Sequence, residues 1–374
     1  MIYLDNNATT AIDPLVQKEV LDLLNHFFGN PSSIHQYGQE AKKRLLKERG
    51  EVASFFGVKP EEVFFTSGAT EGLNMVLRGI MSDCKGGHLI TSSLEHEACF
   101  QTAKFLEGNG IEVSYLFPEK GRGAIQPSQV ADACRKNTRL IALMWANNET
   151  GAITCIEEIA EIASKADIPL LVDGVAFIGK EKCSLPPGVS AVCLSGHKIH
   201  ALAGIGVTIV RKHSSLLPII TGGPQQLGKR GGTENLPGIV AISKALELIR
   251  KGEDHDFEKI RYLRDQFEQR LLASLPNVHC NFQGKRVSNT SNLSFLGISG
   301  ETLLIALDQA KVAVSHGAAC SSGALEPSRV LLNMGISREV ANSAIRFSFS
   351  RMSSEEEVIE ASSIIIGLVK QFIY

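Results

Sequence analysis

No stretch of this 374-residue sequence is long and apolar enough to cross a bilayer. Its start, Met1-Ile2-Tyr3-Leu4-Asp5-Asn6-Asn7-Ala8, has neither the basic end nor the apolar core of a signal peptide. The chain therefore reads as cytoplasmic, with no membrane partner. Neither sign of charge is in excess: 38 Lys and Arg face 40 Asp and Glu, a formal net charge of −2, which gives no electrostatic basis for direct nucleic-acid binding. The eight cysteines show no CxxC and no finger-like spacing, so no metal site is expected, and most read as reduced core thiols. Internal repeats and low-complexity linkers are also missing. What remains is an ordinary globular composition, and the length suits two domains or one domain with an appendage.

The pattern of the chain is alternation. Short apolar runs at 63–66, 88–92, 112–117, 139–145, 169–173, 190–195 and 206–210 predict strands, and helical spacing fills most gaps, as at 70–81, 97–106 and 156–165. Alternation of this kind predicts an α/β fold with a mainly parallel seven-stranded sheet sandwiched by helices. Asp13-Pro14 predicts a helix start, residues 39–56 a second helix weakened at Gly50, and 237–273 a long helix. Beyond it, strands at 291–296, 312–315 and 344–350 and helices at 301–307, 327–334 and 355–372 predict a smaller α+β domain.

Two runs end in chemistry. Ser190-Ala191-Val192-Cys193-Leu194-Ser195 delivers Lys198 to a loop, and Pro169-Leu170-Leu171-Val172-Asp173 ends in a carboxylate. In an open parallel sheet ligands sit beyond the carboxyl ends of the strands, so both side chains can reach one cofactor. Pyridoxal phosphate asks for this pair, a lysine for its aldehyde and an acid for its pyridinium nitrogen. Thr66-Ser67-Gly68-Ala69-Thr70-Glu71-Gly72 lies at a strand-to-helix junction and suits a phosphate, although it also describes a plain capping box. His96 and Asn148 fall at two further strand ends, where imidazole can stack on the ring and carry protons and an amide can donate to the ring oxygen. Their ordinary readings are a helix cap and a turn. Cys320 stands in the small-residue stretch Ser315-His316-Gly317-Ala318-Ala319-Cys320-Ser321-Ser322-Gly323-Ala324, where a thiolate nucleophile can meet solvent, although a small buried cysteine at a turn fits the same stretch. Arg346 alternates with Ile345 and Phe347 and either clamps a carboxylate or faces water on an edge strand.

Together with Tyr3-Leu4-Asp5-Asn6, Gly29-Asn30-Pro31-Ser32-Ser33, Asn147-Asn148-Glu149, Ser195-Gly196-His197-Lys198, Arg230-Gly231-Gly232-Thr233-Glu234-Asn235 and Ile345-Arg346-Phe347-Ser348, these residues resemble the cysteine desulfurases. That family belongs to the class V aminotransferases, pyridoxal-phosphate-dependent transferases of fold type I. The resemblance implies a large cofactor-binding domain over 14–250 and a small domain built from 1–13 and 251–374. It implies that Lys198 holds pyridoxal 5′-phosphate as a Schiff base, Asp173 pairs with its ring nitrogen, His96 stacks and shuttles protons, and Asn148 contacts the ring oxygen. Ala69, Thr70, Ser195, Gly196 and His197 would bind the cofactor, joined by Thr233 from the neighbouring subunit of a homodimer. Arg346 and Asn6 would bind L-cysteine, and Cys320 would take its sulfur as a persulfide, leaving L-alanine. The implied sulfur acceptor is an iron–sulfur scaffold or a tRNA-thiolation enzyme.

The chain also departs from that family. Ala176 stands where Gln is usual, His200-Ala201-Leu202-Ala203-Gly204 replaces Tyr-Gly-Pro-Lys-Gly at the expected rim of the site, and Gly222-Gly223-Pro224-Gln225-Gln226-Leu227 lacks the usual Glu-Arg pair. Two alternatives therefore stand beside the desulfurase reading: a lyase of the same fold that cleaves C–S or C–Se bonds without a persulfide, and a catalytically weak homologue acting as a binding partner.

Overall fold

The computed structural model describes residues 1–211, 216–317 and 327–373. In chain order the strands are β1 (Ile2–Tyr3), β2 (Val63–Thr66), β3 (His88–Ser92), β4 (Glu112–Leu116), β5 (Thr138–Met144), β6 (Leu170–Asp173), β7 (Ala191–Ser195), β8 (Gly206–Val210), β9 (Val278–Cys280), β10 (Thr290–Phe295), β11 (Val312–Ala313) and β12 (Ala344–Ser348). The helices are α1 (Pro14–His26), α2 (Gln36–Phe56), α3 (Ala69–Met81), α4 (Glu97–Gly108), α5 (Pro127–Ala133), α6 (Ile156–Lys165), α7 (Leu236–Ser274), α8 (Gly300–Gln309), α9 (Arg329–Asn333), α10 (Arg338–Asn342) and α11 (Glu355–Ile373).

The central sheet has the order β2-β8-β7-β6-β5-β3-β4, and β8 alone runs antiparallel to its neighbours. Its inner strands are buried at every residue but Arg139 because both faces are covered. Leu89, Leu140, Ala142, Leu171 and Cys193 pack under α3 and α4, whereas Ile90, Ile141, Leu143, Val172, Val192 and Leu194 pack against α6 and α7. Successive residues of one strand thus enter opposite cores, as a two-residue period requires.

A separate core surrounds the antiparallel sheet β12-β10-β9 and the parallel pair β1-β11, with Phe267, Phe295, Phe347 and Phe349 packed among Leu303, Val358 and Ile365. Ile2 and Leu4 belong to this second core although they begin the chain. The 39-residue α7, about 58 Å long at 1.5 Å per residue, joins the two cores. Its Ile239, Ile242 and Leu246 enter the first and its Leu263, Phe267 and Leu271 the second.

The sequence pattern misplaces several boundaries. Helix α2 starts at Gln36, not residue 39, because the His35 ring caps it, and it runs through Gly50, where no atom lies within 4 Å of an added Cβ. The helix expected over 327–334 is confined to Arg329–Asn333, and α5, α10, β1 and β9 are too short to show a period.

Candidate active site

The carboxyl ends of β2, β3, β5, β6 and β7 open on one cavity of about 220 Å³, lined among others by Thr70, His96, Asn148, Asp173, Lys198 and Arg346. Strand β7 is buried along its length and passes into a single turn, Gly196–Lys198. A Cβ on Gly196 would stand 2.8 Å from Ile205 and from the Leu202 carbonyl, so the turn tolerates only glycine there. Lys198 is half-buried rather than solvated, and its Nζ donates to the carbonyls of Asn7 at 2.5 Å and Ala8 at 2.7 Å.

Asp173 ends β6 with 6% of its surface exposed, and its Oδ1 accepts the Val175 N–H at 3.0 Å. Burial raises its pKa, and the neighbouring His96 and Lys198 oppose that rise. A buried carboxylate at the cavity wall suits a cationic partner such as a protonated ring nitrogen. At the other end of the cavity α3 begins at Ala69 with no side chain capping it. Helix geometry leaves the first N–H groups there without intrahelical acceptors, and Ala69, Thr70 and Ser195 border them. The capping-box alternative fails, since Glu71 instead accepts the Ser67 N–H at 2.8 Å and pairs with Arg230 at 2.8 Å. Lysine, buried acid and open helix start together fit a group that carries an aldehyde, a basic ring nitrogen and a phosphate.

His96 fulfils both of its sequence readings. Its Nδ1 accepts the Ala98 N–H at 3.1 Å as the cap of α4, and the ring also lines the cavity. With Nδ1 an acceptor, the neutral ring carries its proton on Nε2. His197 contacts Thr9 Oγ1 at 3.2 Å, and burial beside Lys198 and Lys180 pushes it down to about 4, so it acts as a neutral hydrogen-bonding group. The turn alternative belongs to Asn147, whose Oδ1 accepts the N–H groups of Glu149 and Thr150, while Asn148 faces the cavity.

Arg346 does not face water: it is 2% exposed, and its Nη2 donates to Asp5 Oδ1 at 2.8 Å and its Nη1 to the Asn148 carbonyl at 3.1 Å. Asn6 lines the same cavity, with its amide spent on the Ser348 carbonyl at 2.8 Å. Gly196 supports the lysine turn from behind, and Thr233 is exposed and outside the lining of this chain's cavity. Cys320 lies outside the described residues.

The departures find physical explanations. His200 and Ala201 are buried rather than at a rim. His200 adopts φ 66°, bonds the Ala11 carbonyl at 2.8 Å through Nδ1, and is driven down to about 3 by burial. Gln226 is buried too and accepts from Arg49 Nη2 at 3.0 Å and the Phe65 N–H at 2.9 Å. Ala176 lines the cavity and offers it no donor.

Sequence reasoning missed Lys180, whose Nζ donates to the Lys198 carbonyl at 2.5 Å, and Asn7, whose amide donates to the Asn148 carbonyl at 3.1 Å and to Thr290 Oγ1 at 2.9 Å. Glu95, fully buried behind His96, was missed as well. Only Glu95 carried a signal, an acid three residues beyond the end of β3 and next to His96.

The model of the family described as aminotransferase class-V matches residues 2–360. The chain belongs to that family. It is 38% identical over 99% of its length, and 94% of the relative's, to a protein of Trichormus variabilis named cysteine desulfurase 2. A solved NifS-like protein superposes with a TM-score of 0.93 at 33% identity, covering 99% of both chains. The solved structure described as SspA in complex with cysteine superposes with a TM-score of 0.83 at 31% identity over 95% of this chain and all of its own. This class-V aminotransferase is thus similar to cysteine desulfurases from end to end, and its family uses pyridoxal phosphate.

Proposed function

We propose that the chain is a pyridoxal-phosphate-dependent cysteine desulfurase that converts L-cysteine to L-alanine and keeps the sulfur as a persulfide on Cys320. The observation that carries the reading is the convergence of Lys198, Asp173 and Arg346 on one cavity, three groups that recognise an aldehyde, a ring nitrogen and a carboxylate. The cysteine complex of a similar structure agrees with the substrate class.

The cofactor, when bound, supplies an electron sink for the charge left at the substrate Cα. Lys198 would hold it, and its amine is the base placed to move the Cα proton. Asp173 would pair with the ring nitrogen, His96 would stack on the ring and pass protons through Nε2, and Asn148 would donate to the ring oxygen. Ala69, Thr70, Ser195 and His197 would hold the phosphate end, completed by the partner subunit's Thr233 in a homodimer, and Gly196 would act by shaping the lysine turn. Arg346 and Asn6 orient the substrate. The Cys320 thiolate attacks the substrate sulfur; the S–S bond forms as the C–S bond breaks, and a proton returns to carbon to give alanine.

We assign the large domain to 14–250 and the small one to 1–13 with 251–374; the core around β12-β10-β9 supports this by drawing only on the second set of residues, although Phe257 and Val287 pack into the large-domain core. A cytoplasmic acceptor, an iron–sulfur scaffold or a tRNA-thiolation enzyme, then takes the sulfur.

The test is alanine formation from L-cysteine with a reductant present, comparing the cofactor-loaded protein with Cys320→Ala. Turnover in the first and loss in the second, with L-cysteine still perturbing the cofactor absorbance of both, is expected. Equal turnover would establish direct elimination without a persulfide instead.

A further inference from the structure

The Arg346 guanidinium is already engaged before any substrate arrives. Its partner Asp5 comes from the opposite end of the chain and is fixed by its own backbone: residue 5 pairs with Ser348 in a β-bridge, and the next residue donates its N–H to the Ser348 carbonyl at 3.3 Å. Ser348 in turn donates its N–H to the Leu4 carbonyl at 2.7 Å, and the Tyr3 hydroxyl donates to the Asp5 carbonyl at 3.2 Å. Asp5 thus stands two residues along β12 from Arg346, in a position the main chain sets. The carboxylate occupies Nη2 and the Asn148 carbonyl occupies Nη1. Arg346 Nε is buried and has no hydrogen-bond partner among the described residues. The guanidinium therefore keeps an unfilled donor edge on a side chain that lines the cavity, while a competing anion already shares its charge.

A buried guanidinium without a counter-ion would hold any carboxylate tightly, including that of the departing product. We propose that Asp5 is the positioning residue for substrate and product carboxylates: it fixes the Arg346 fork with the Nε–H donor unspent, and its competing charge weakens the fork's grip so that alanine leaves. This rests on the reading of Arg346 as the carboxylate site.

The test is calorimetric binding to the cofactor-loaded, full-length protein of two probes, L-alanine and ethylamine, which is alanine without its carboxylate. Asp5→Asn keeps an oxygen acceptor for Nη2 and removes the charge. It should tighten L-alanine binding about tenfold and leave ethylamine unchanged. Turnover of L-cysteine should then show KM and kcat falling together. Unchanged or weaker L-alanine binding overturns the proposal, and so does a shift or loss common to both probes, which would make Asp5 merely structural. Arg346→Gln separates the two levels: it should abolish the preference for L-alanine over ethylamine, and if the preference persists, the assignment of Arg346 itself fails.

Discussion

Glu95 is a buried acid that should make the folded chain less stable as pH rises through neutrality, and the size of the effect follows from its surroundings. It is 1% exposed, its Oε1 accepts the Ser92 hydroxyl at 2.5 Å, and its Oε2 has no hydrogen-bond partner among the described residues. Burial pushes the carboxyl from its ordinary 4.5 up to about 8; the Ser92 hydroxyl opposes the rise and nearby Asp173 adds to it. The folded chain thus keeps a proton that the unfolded chain has lost. Stability from this group is complete below the unfolded pKa and drains away until the folded carboxyl ionises near 8. One proton is worth about 1.4 kcal/mol per pH unit, so the full loss is roughly 5 kcal/mol at pH 8. Glu95→Gln has nearly the same volume and no charge to bury. Urea unfolding of both proteins at matched cofactor saturation should show no difference that favours the variant near pH 4.5. The variant should then gain with a slope near one proton, reaching several kcal/mol by pH 8. A difference independent of pH would refute the assignment of a neutral Glu95.

Lys180 should behave in the opposite sense. Burial, with Arg351 and Lys198 adding, lowers it from 10.5 to about 7, so its stability contribution is present above the unfolded pKa and lost as pH falls through the folded one. Lys180→Met should therefore gain stability relative to the parent between pH 10 and 7, read by the same unfolding titration, and a flat difference would contradict this. The variant also loses the hydrogen bond to the Lys198 carbonyl. At Gly206 a Cβ would stand 2.6 Å from the Gly68 backbone, so Gly206→Ala must push β8 away from the start of α3. The cost is about 1–3 kcal/mol of stability, with faster cofactor release on dilution, and unaltered retention would show that α3 contributes no phosphate contact.

The central sheet was legible in the sequence because most of its strands are buried on both faces and read as largely apolar runs. Lys198, Asp173, His96 and Asn148 were legible for a related reason. A parallel sheet gathers its carboxyl ends at one edge, so a reactive side chain just after such a run is placed near the others before any contact is known. Arg346 needed both its alternation with Ile345 and Phe347 and the structure, which turned an edge-strand arginine into a buried one. Short elements such as β9 and α10 left no periodic trace, and Lys180 sits in a turn whose sequence carries no signal.

What residues 5–12 contact was illegible for a different physical reason. They have no period, and what they do is defined by partners far away in sequence. Asp5 holds Arg346, Asn7 holds Asn148 and Thr290, and the carbonyls of Asn7 and Ala8 receive Lys198. Thr9 and Thr10 meet His197, and the N–H of His200 reaches Thr10 Oγ1. Leu4, just before them, is anchored in the second core, whereas Lys198 follows a strand of the first. The segment is therefore a strap between the two cores, and it fixes the distance from amine to guanidinium, along which the proposed substrate would lie. Loosening it should misplace one group relative to the other without removing either, the kind of fault that lowers turnover more than it lowers stability.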